Sequence, residues 1–131
     1  MNANPVTYFE IPVTDIQRAV SFYENVFQTE LQRTEIDGHD MALFHFEENA
    51  FGASGALAQG ESYVPSTSGP RLYFSVADIN GILSRAEEAG GAIAYPITDV
   101  GEFWVAEFID SEGNQIALTA TKQANPSKTE T

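Results

Sequence analysis

The chain contains an internal repeat. The motif Val13–Ile16 (VTDI) recurs as Val76–Ile79 (VADI) 63 residues later, and Glu24 aligns with Glu87 at the same offset. Each half has the pattern of a strand, a capped helix and three further strands. A sheet with a helix on only one face must cover its other face, so the two halves are expected to associate. The sequence therefore predicts an α+β fold made of two βαβββ modules.

The first module is predicted at residues 6–58. Segment 6–13 alternates apolar and polar residues like a half-buried strand, and Pro12 indicates a sheet edge or the end of pairing, because proline has no N–H to donate. Asp15 is the expected N-cap of a helix over 16–27, where apolar residues recur at helical spacing. Further strands are expected near 30–36, 40–47 and 52–58.

The second module is predicted at residues 71–121, after a polar linker at 59–70 that is rich in Gly, Pro and Ser. Its first strand covers 71–76, and Asp78 is the expected cap of a helix over 79–89. Further strands are expected near 92–98, 102–109 and 115–121.

The two modules are interpreted as one domain over residues 1–121. Residues 122–131 carry no apolar face and are predicted to be a disordered tail. At 131 residues, the chain is long enough to bury a core without disulfides or a structural metal.

Composition excludes several classes of function. Cysteine is absent, which excludes a disulfide scaffold, a thiolate metal site and a cysteine nucleophile. Nineteen acidic residues stand against six basic ones, and the net charge of −13 disfavours nucleic acids and anionic membranes as partners. No apolar run approaches the ~20 residues that span a bilayer, and no signal peptide is visible. A cytoplasmic location is therefore expected.

Two segments resemble a known family. Phe9–Tyr23 (FEIPVTDIQRAVSFY) and Asp110–Ile116 (DSEGNQI) resemble the first strand and helix and the final turn of the vicinal oxygen chelate superfamily. That superfamily contains glyoxalase I, extradiol dioxygenases and bleomycin-resistance proteins, and the likeness is greatest to glyoxalase-related proteins of unassigned activity. The resemblance covers residues 6–121. It implies modules whose strands form an incomplete barrel around a cavity, and a homodimer.

The resemblance also gives the positions of a metal site. Metal-dependent members bind a divalent ion through His, Glu or Gln on the first and last strand of each module. The matching residues in this chain are Tyr8, Ser54, Arg71 and Ala117. None is a good ligand for a divalent ion, and the arginine would repel one. No metal or other cofactor is therefore predicted, with a weak two-ligand site of Glu10 and His45 as the alternative.

Two charged residues are the main candidates for chemistry in the cavity. Glu10 lies on the first strand opposite Phe9 and Ile11, where a carboxylate could act as a general base or anchor a ligand. Arg71 could hold an anionic group through two parallel hydrogen bonds. A structural ion pair is the alternative for each, and a Glu10–Arg71 pair would satisfy both readings.

Five further residues are expected to line the cavity as ligand-binding groups: Tyr8, His45, Tyr73, Trp104 and Gln115. Ordinary packing is the alternative for the residues of this group, and for His45 a satisfied strand position. His39 lies in a turn and is expected to be solvated.

The resemblance implies a small-molecule site that serves lyase or isomerase chemistry on an oxygenated metabolite, related to lactoylglutathione lyase. The alternative is a metal-free protein that binds and sequesters a small molecule, as bleomycin-resistance members do. A third hypothesis is a purely structural dimer.

Overall fold

The computed structural model of the protein describes residues 4–122. The chain divides into two compact units, and the boundary falls between Pro65 and Ser66. Each unit contains one helix and a four-stranded mixed sheet, in the order strand, helix, strand, strand, strand. The predicted α+β fold of two βαβββ modules is confirmed.

The first unit has its first strand at a sheet edge. Its elements are β1 (Tyr8–Val13), α1 (Ile16–Phe27), β2 (Gln32–Ile36), β3 (His39–Leu43) and β4 (Ser54–Gln59). The sheet order is β1-β4-β3-β2, with β1 and β4 parallel and the other pairs antiparallel. The edge position of β1 agrees with the presence of Pro12, whose missing N–H costs least there.

Two side chains, one local and one from β4, fix the start of α1. Asp15 caps the helix by accepting a hydrogen bond from the backbone N–H of Arg18 at 3.1 Å. The backbone N–H of Ile16 donates to Oε1 of Gln59, at the end of β4, at 2.6 Å. Two of the N–H groups that a helix start leaves unpaired are thereby satisfied.

The core of the first unit lies between α1 and one face of its sheet. Ile11, Val13 and Leu57 are buried on this face. Tyr23 of α1 is fully buried, and its ring stacks on Phe27 at a centroid distance of 5.8 Å. Burying one such large side chain contributes about 1.5–3 kcal/mol, so the amphipathic spacing of α1 accounts for where the helix docks.

The second unit repeats this arrangement. Its elements are β5 (Tyr73–Ser75), α2 (Ile79–Glu88), β6 (Ala92–Asp99), β7 (Phe103–Ile109) and β8 (Gln115–Thr121), in the sheet order β5-β8-β7-β6. Asp78 caps α2 by accepting from the N–H of Gly81 at 3.0 Å. Phe108 and Leu118 are fully buried on the helix side of the sheet.

The turn between β7 and β8 is built around a buried carboxylate. Asp110 is 4% exposed and accepts hydrogen bonds from the backbone N–H groups of Glu112 and Asn114, at 2.8 and 2.9 Å, and from the Asn114 side chain at 3.1 Å. Oδ1 of Asn114 in turn accepts from the N–H of Ser66 at 3.1 Å. The D-x-x-G-N motif therefore has a structural role here.

Two strands are clearly shorter than predicted. The strand expected near 40–47 ends at Leu43, and beyond it the N–H of Phe44 still donates to the carbonyl of Gly55 at 2.9 Å. The strand expected over 71–76 is confined to Tyr73–Ser75.

Lys122 was assigned to the disordered tail, but it is held in place. Its N–H donates to the carbonyl of Glu102 at 3.1 Å, and its ammonium lies 2.6 Å from Asp99 and 4.4 Å from the ring centre of Trp104. The rest of the predicted tail, 123–131, lies outside the described residues. Within residues 4–122, neither helix is long and apolar enough to cross a membrane.

Candidate functional site

A carboxylate with two tyrosine hydroxyls forms the candidate site in the first unit. Tyr8 and Glu10 lie on the face of β1 opposite Ile11, because side chains alternate along a strand. The hydroxyl of Tyr8 donates to Oε2 of Glu10 at 3.0 Å, and the hydroxyl of Tyr63 donates to Oε1 at 2.7 Å. We call Tyr8, Glu10 and Tyr63 the Glu10 site.

Tyr63 reaches this site from the segment that the sequence suggested was only a linker. Its backbone N–H donates to the carbonyl of Gly60 at 3.0 Å, which closes a turn directly after β4. The side chain packs against a buried cluster of Met41, Ala56 and Ala58 on the sheet. These contacts fix the tyrosine, and its hydroxyl is left to bind Glu10.

His39 supports Tyr63 from β3. The two rings meet edge to face, with centroids 5.5 Å apart and planes at 89°. Gly60 leaves the space for this contact, since a Cβ there would come within 2.6 Å of Nδ1 of His39 and 3.1 Å of the Tyr63 ring. His39 was expected in a solvated turn, but it begins a strand and is half-buried.

Both hydroxyls of the Glu10 site remain protonated at neutral pH. Burial, with the hydrogen bond to Glu10 and its negative charge, raises the pKa of Tyr8 to about 12. The hydrogen bond to Glu10 is also the main cause of the raised pKa of Tyr63. A phenolate beside the carboxylate is thus disfavoured, and the site presents two neutral donors bound to one acceptor.

Replacing Glu10 by glutamine is expected to lower both tyrosine pKa values. The pKa of Tyr63 should return closer to 10 than that of Tyr8, because the hydrogen bond to Glu10 is the main cause for Tyr63 whereas burial, the main cause for Tyr8, remains. In the wild type, the stabilisation from the protonated Tyr8 hydroxyl is complete below pH 10 and is lost as the pH rises through about 12. NMR titration of the tyrosine ring carbons measures these values. The control Glu35→Gln removes the same charge elsewhere in the unit and should leave both tyrosine pKa values unchanged. An unaltered pKa of Tyr63 in Glu10→Gln would contradict the hydrogen bond between Tyr63 and Glu10.

The second unit contains an ion pair at the corresponding face of its sheet. Nε of Arg71 donates to Oε1 of Glu107 at 2.8 Å, and the side-chain amide of Gln115 donates to the same oxygen at 2.6 Å. Nη1 of Arg71 donates to the carbonyl of Thr67 at 3.2 Å. The carboxylate partner of Arg71 in the second unit is therefore Glu107.

Tyr73 and Trp104 differ in where the second sheet places them. Tyr73 is 56% exposed and pairs with Ala117, on the same face as Glu107. Trp104 pairs with Ala120, which puts it on the helix side of the sheet. The expected role of Trp104 beside Arg71 and Tyr73 is therefore wrong.

His45 follows the end of β3 and interacts with a neighbouring carboxylate. Its Nε2 lies 3.1 Å from Oε1 of Glu47, and both side chains are more than 70% exposed. The hydrogen-bond partners of Glu10 within residues 4–122 are the two tyrosines. The alternative Glu10–His45 metal pair therefore finds no support in these contacts.

The strand register corrects one family metal position. Glu10 pairs with Ala56 in the first unit, and Tyr73, which holds the place of Glu10 in the repeat, pairs with Ala117. Ala56, not Ser54, is therefore the counterpart of Ala117. The segment between the first and last strands is two residues longer in the first unit than in the second. The repeat offset that aligns the first strands therefore misplaces the last strand by two residues.

The corrected positions do not fit a divalent ion. The alanines have no donor atom, Arg71 is cationic, and the Tyr8 hydroxyl is a neutral donor to Glu10. Within the described part of the chain, no three His, Cys, Asp or Glu residues are grouped so that they could hold a metal. The donor set therefore supplies at most one carboxylate, Glu10.

Comparison with known proteins identifies the family. The family model described as the Glyoxalase/Bleomycin resistance protein/Dioxygenase superfamily matches residues 6–118. The chain belongs to this superfamily. The resemblance carried by the first strand, helix and final turn is thereby confirmed. A glyoxylase-like domain-containing protein of Didymella fabae is 27% identical over 118 residues, covering 86% of this chain and 91% of that protein.

Solved structures of superfamily proteins share the fold. A glyoxylase/bleomycin resistance protein/dioxygenase domain from Frankia sp. EAN1pec has a TM-score of 0.70 at 20% identity, over 92% of this chain and 100% of that chain. TnmS3, an antibiotic binding protein from Streptomyces sp. CB03234, has a TM-score of 0.65 at 23% identity, over 93% and 99%. For a glyoxalase I mutant from Zea mays the TM-score is 0.64 at 17% identity, and this chain, 88% covered, spans only 46% of that one.

Proposed function

We propose that this superfamily member binds a small organic molecule at the Glu10 site without the divalent ion of its metal-dependent relatives. The observation that carries the proposal is the single carboxylate held by two tyrosine hydroxyls. The rings provide apolar surface and the hydroxyls and carboxylate provide polar contacts, a combination typical of ligand sites. The described antibiotic binding of the related TnmS3 supports a binding role.

The geometry favours binding over proton abstraction. Each oxygen of Glu10 already accepts a hydrogen bond from a tyrosine, so a substrate proton could reach it only if one tyrosine moved or the oxygen's second lone pair took it. The site is therefore better suited to anchoring a ligand than to acting as a general base.

A lyase or isomerase is the second candidate. Its support is the position of two neutral hydroxyls beside a carboxylate, since phenol donors can stabilise a developing oxyanion while a carboxylate takes a proton. Under this mechanism Glu10 is the catalytic base and Tyr8 and Tyr63 are the donors. The substrate would be a small oxygenated metabolite.

The proposal includes a homodimer in the cytoplasm. Small members of the superfamily commonly dimerise, and the cysteine-free, acidic sequence suits a reducing compartment. Light scattering of the purified protein measures the oligomeric state.

Metal analysis and a thermal-shift screen test the proposed function together. The purified protein should contain far less than one equivalent of Ni, Zn, Fe or Mn, and at least one organic compound should raise its melting temperature. The shift should be lost in Glu10→Gln and kept in Glu35→Gln. A stoichiometric metal that is lost in Glu10→Gln would contradict the metal-free proposal. Conversion of a bound compound into product would favour the lyase or isomerase.

A further inference from the structure

We propose that the molecule bound at the Glu10 site carries a cationic nitrogen. This inference rests on the proposed function and names the class of its ligand. It is drawn from the charge balance around two carboxylates, one in each unit, that lie on corresponding sheet faces and have different partners.

Glu107 in the second unit is neutralised by the protein itself. The Arg71 guanidinium lies 2.8 Å from its Oε1, and the Gln115 amide donates to the same oxygen. The charge of this carboxylate is already compensated, and so is the charge of the guanidinium. The charges of Glu107 and Arg71 therefore balance on this face without a bound ion.

Among the described residues, Glu10 has hydrogen-bond partners but no ion-pair partner. Its partners within residues 4–122 are two tyrosine hydroxyls, which are neutral at physiological pH and whose pKa values are raised further by Glu10. Hydrogen bonds from neutral groups position a carboxylate and leave its formal charge in place. Glu10 thus presents an oriented, uncompensated negative charge on an accessible sheet face.

The basic residues of the first unit are engaged elsewhere. Arg18 lies beside Asp15 at 4.0 Å and donates to the hydroxyl of Thr14 at 3.1 Å. Arg33 forms a two-bond contact with Asp40, at 2.9 and 3.0 Å. In the described part of the first unit, neither arginine therefore pairs with Glu10.

An organic cation fits this site better than the other charge classes. An anion would face the Glu10 carboxylate and a chain with a net charge of −13, whose field instead attracts cations. A divalent metal would find one carboxylate where it needs several ligands. An ammonium group can donate to the free lone pairs of Glu10 and lie against a tyrosine ring, and Tyr8 is 46% exposed.

Three probes of equal size separate the charge classes: benzylammonium, benzyl alcohol and benzoate. Binding is measured by chemical-shift titration of the uniformly labelled protein. Benzylammonium should bind roughly tenfold more tightly than benzyl alcohol, equivalent to about 1.4 kcal/mol, and benzoate least. The preference should weaken as salt is added. The shifted amides should include those of β1 and the turn that carries Tyr63.

Two variants of equal charge show whether the preference belongs to Glu10. Glu10→Gln should abolish the difference between benzylammonium and benzyl alcohol, while Glu35→Gln should keep it. Equal loss in both variants, or no shift with benzylammonium, would overturn the cationic ligand. If benzyl alcohol or benzoate binds at the Glu10 site as tightly as benzylammonium or more tightly, the proposed binding function survives without this inference. If neither the probes nor any screened compound binds, the proposed function fails as well.

Discussion

Gly55→Ala is expected to disrupt the pairing of β1 with β4 and to destabilise the first unit by about 3 kcal/mol or more, since inserting an atom into a packed core costs 1–3 kcal/mol or more. A Cβ at Gly55 would overlap the backbone carbonyl oxygen of Phe9 and approach Cδ1 of the Phe9 ring within 2.7 Å. A backbone atom in a paired strand cannot turn aside as a flexible side chain can. Relief of the overlap therefore requires β1 to move.

Because β1 also carries the Glu10 site, the same substitution should impair ligand binding. Amide hydrogen exchange should accelerate across β1 and β4, and the pKa of Tyr63 should fall as its bond to Glu10 lengthens. Gly69→Ala is the matched control, because a Cβ there meets nothing within 4 Å and its backbone is not left-handed. Unchanged exchange in Gly55→Ala would show that the two strands are farther apart than described.

The helices could be predicted from sequence because their signals are local. An aspartate cap and apolar residues at helical spacing define the start of α1 after Asp15 and of α2 after Asp78, and both caps are observed. The α1 range, 16–27, is the predicted one, and α2 ends one residue early. The repeat also predicts where each unit lies along the sequence, because the same pattern of strand, cap and helix occurs twice.

The faces of the strands were harder to predict. Trp104 was assigned to the wrong face because β7 carries large apolar residues on both sides, with Phe103 and Val105 on one and Trp104 and Phe108 on the other. Alternation identifies the buried face only where the two faces differ in polarity. The metal position at Ser54 failed for a related reason, because a constant repeat offset ignores a two-residue difference in the connecting segments.

The partner of Glu10 could not be predicted from local patterns. Tyr63 lies 53 residues from Glu10, in a polar segment with no periodicity. Its position depends on the turn at Gly60 and on packing against Met41, both of which are tertiary features. An aromatic residue inside a Gly-, Pro- and Ser-rich linker was the one available signal, since a solvated linker has little use for it.

Asp110→Ala is expected to destabilise the second unit strongly. The substitution removes the acceptor of three hydrogen bonds and leaves their donors, two of them backbone N–H groups, at a site where Asp110 and Asn114 are buried. Hydrogen bonds to a charged group contribute about 1.5–3 kcal/mol each and are not additive, so we expect a loss of roughly 3–5 kcal/mol. For a chain of this size that corresponds to a melting temperature lower by roughly 10–20 °C.

The fluorescence of the single tryptophan, Trp104, reports this unfolding because it lies on β7, which leads into the turn. Asp110→Asn is the matched comparison, because it keeps one acceptor oxygen but places an amide where the N–H groups converge. Its free energy of unfolding should lie between those of the wild type and Asp110→Ala. The turn also holds Asn114 in place to receive the N–H of Ser66. Both substitutions should therefore loosen the start of the second unit. The tyrosine pKa values of the Glu10 site should stay unchanged. A shift in those pKa values would mean that the turn acts beyond its own unit.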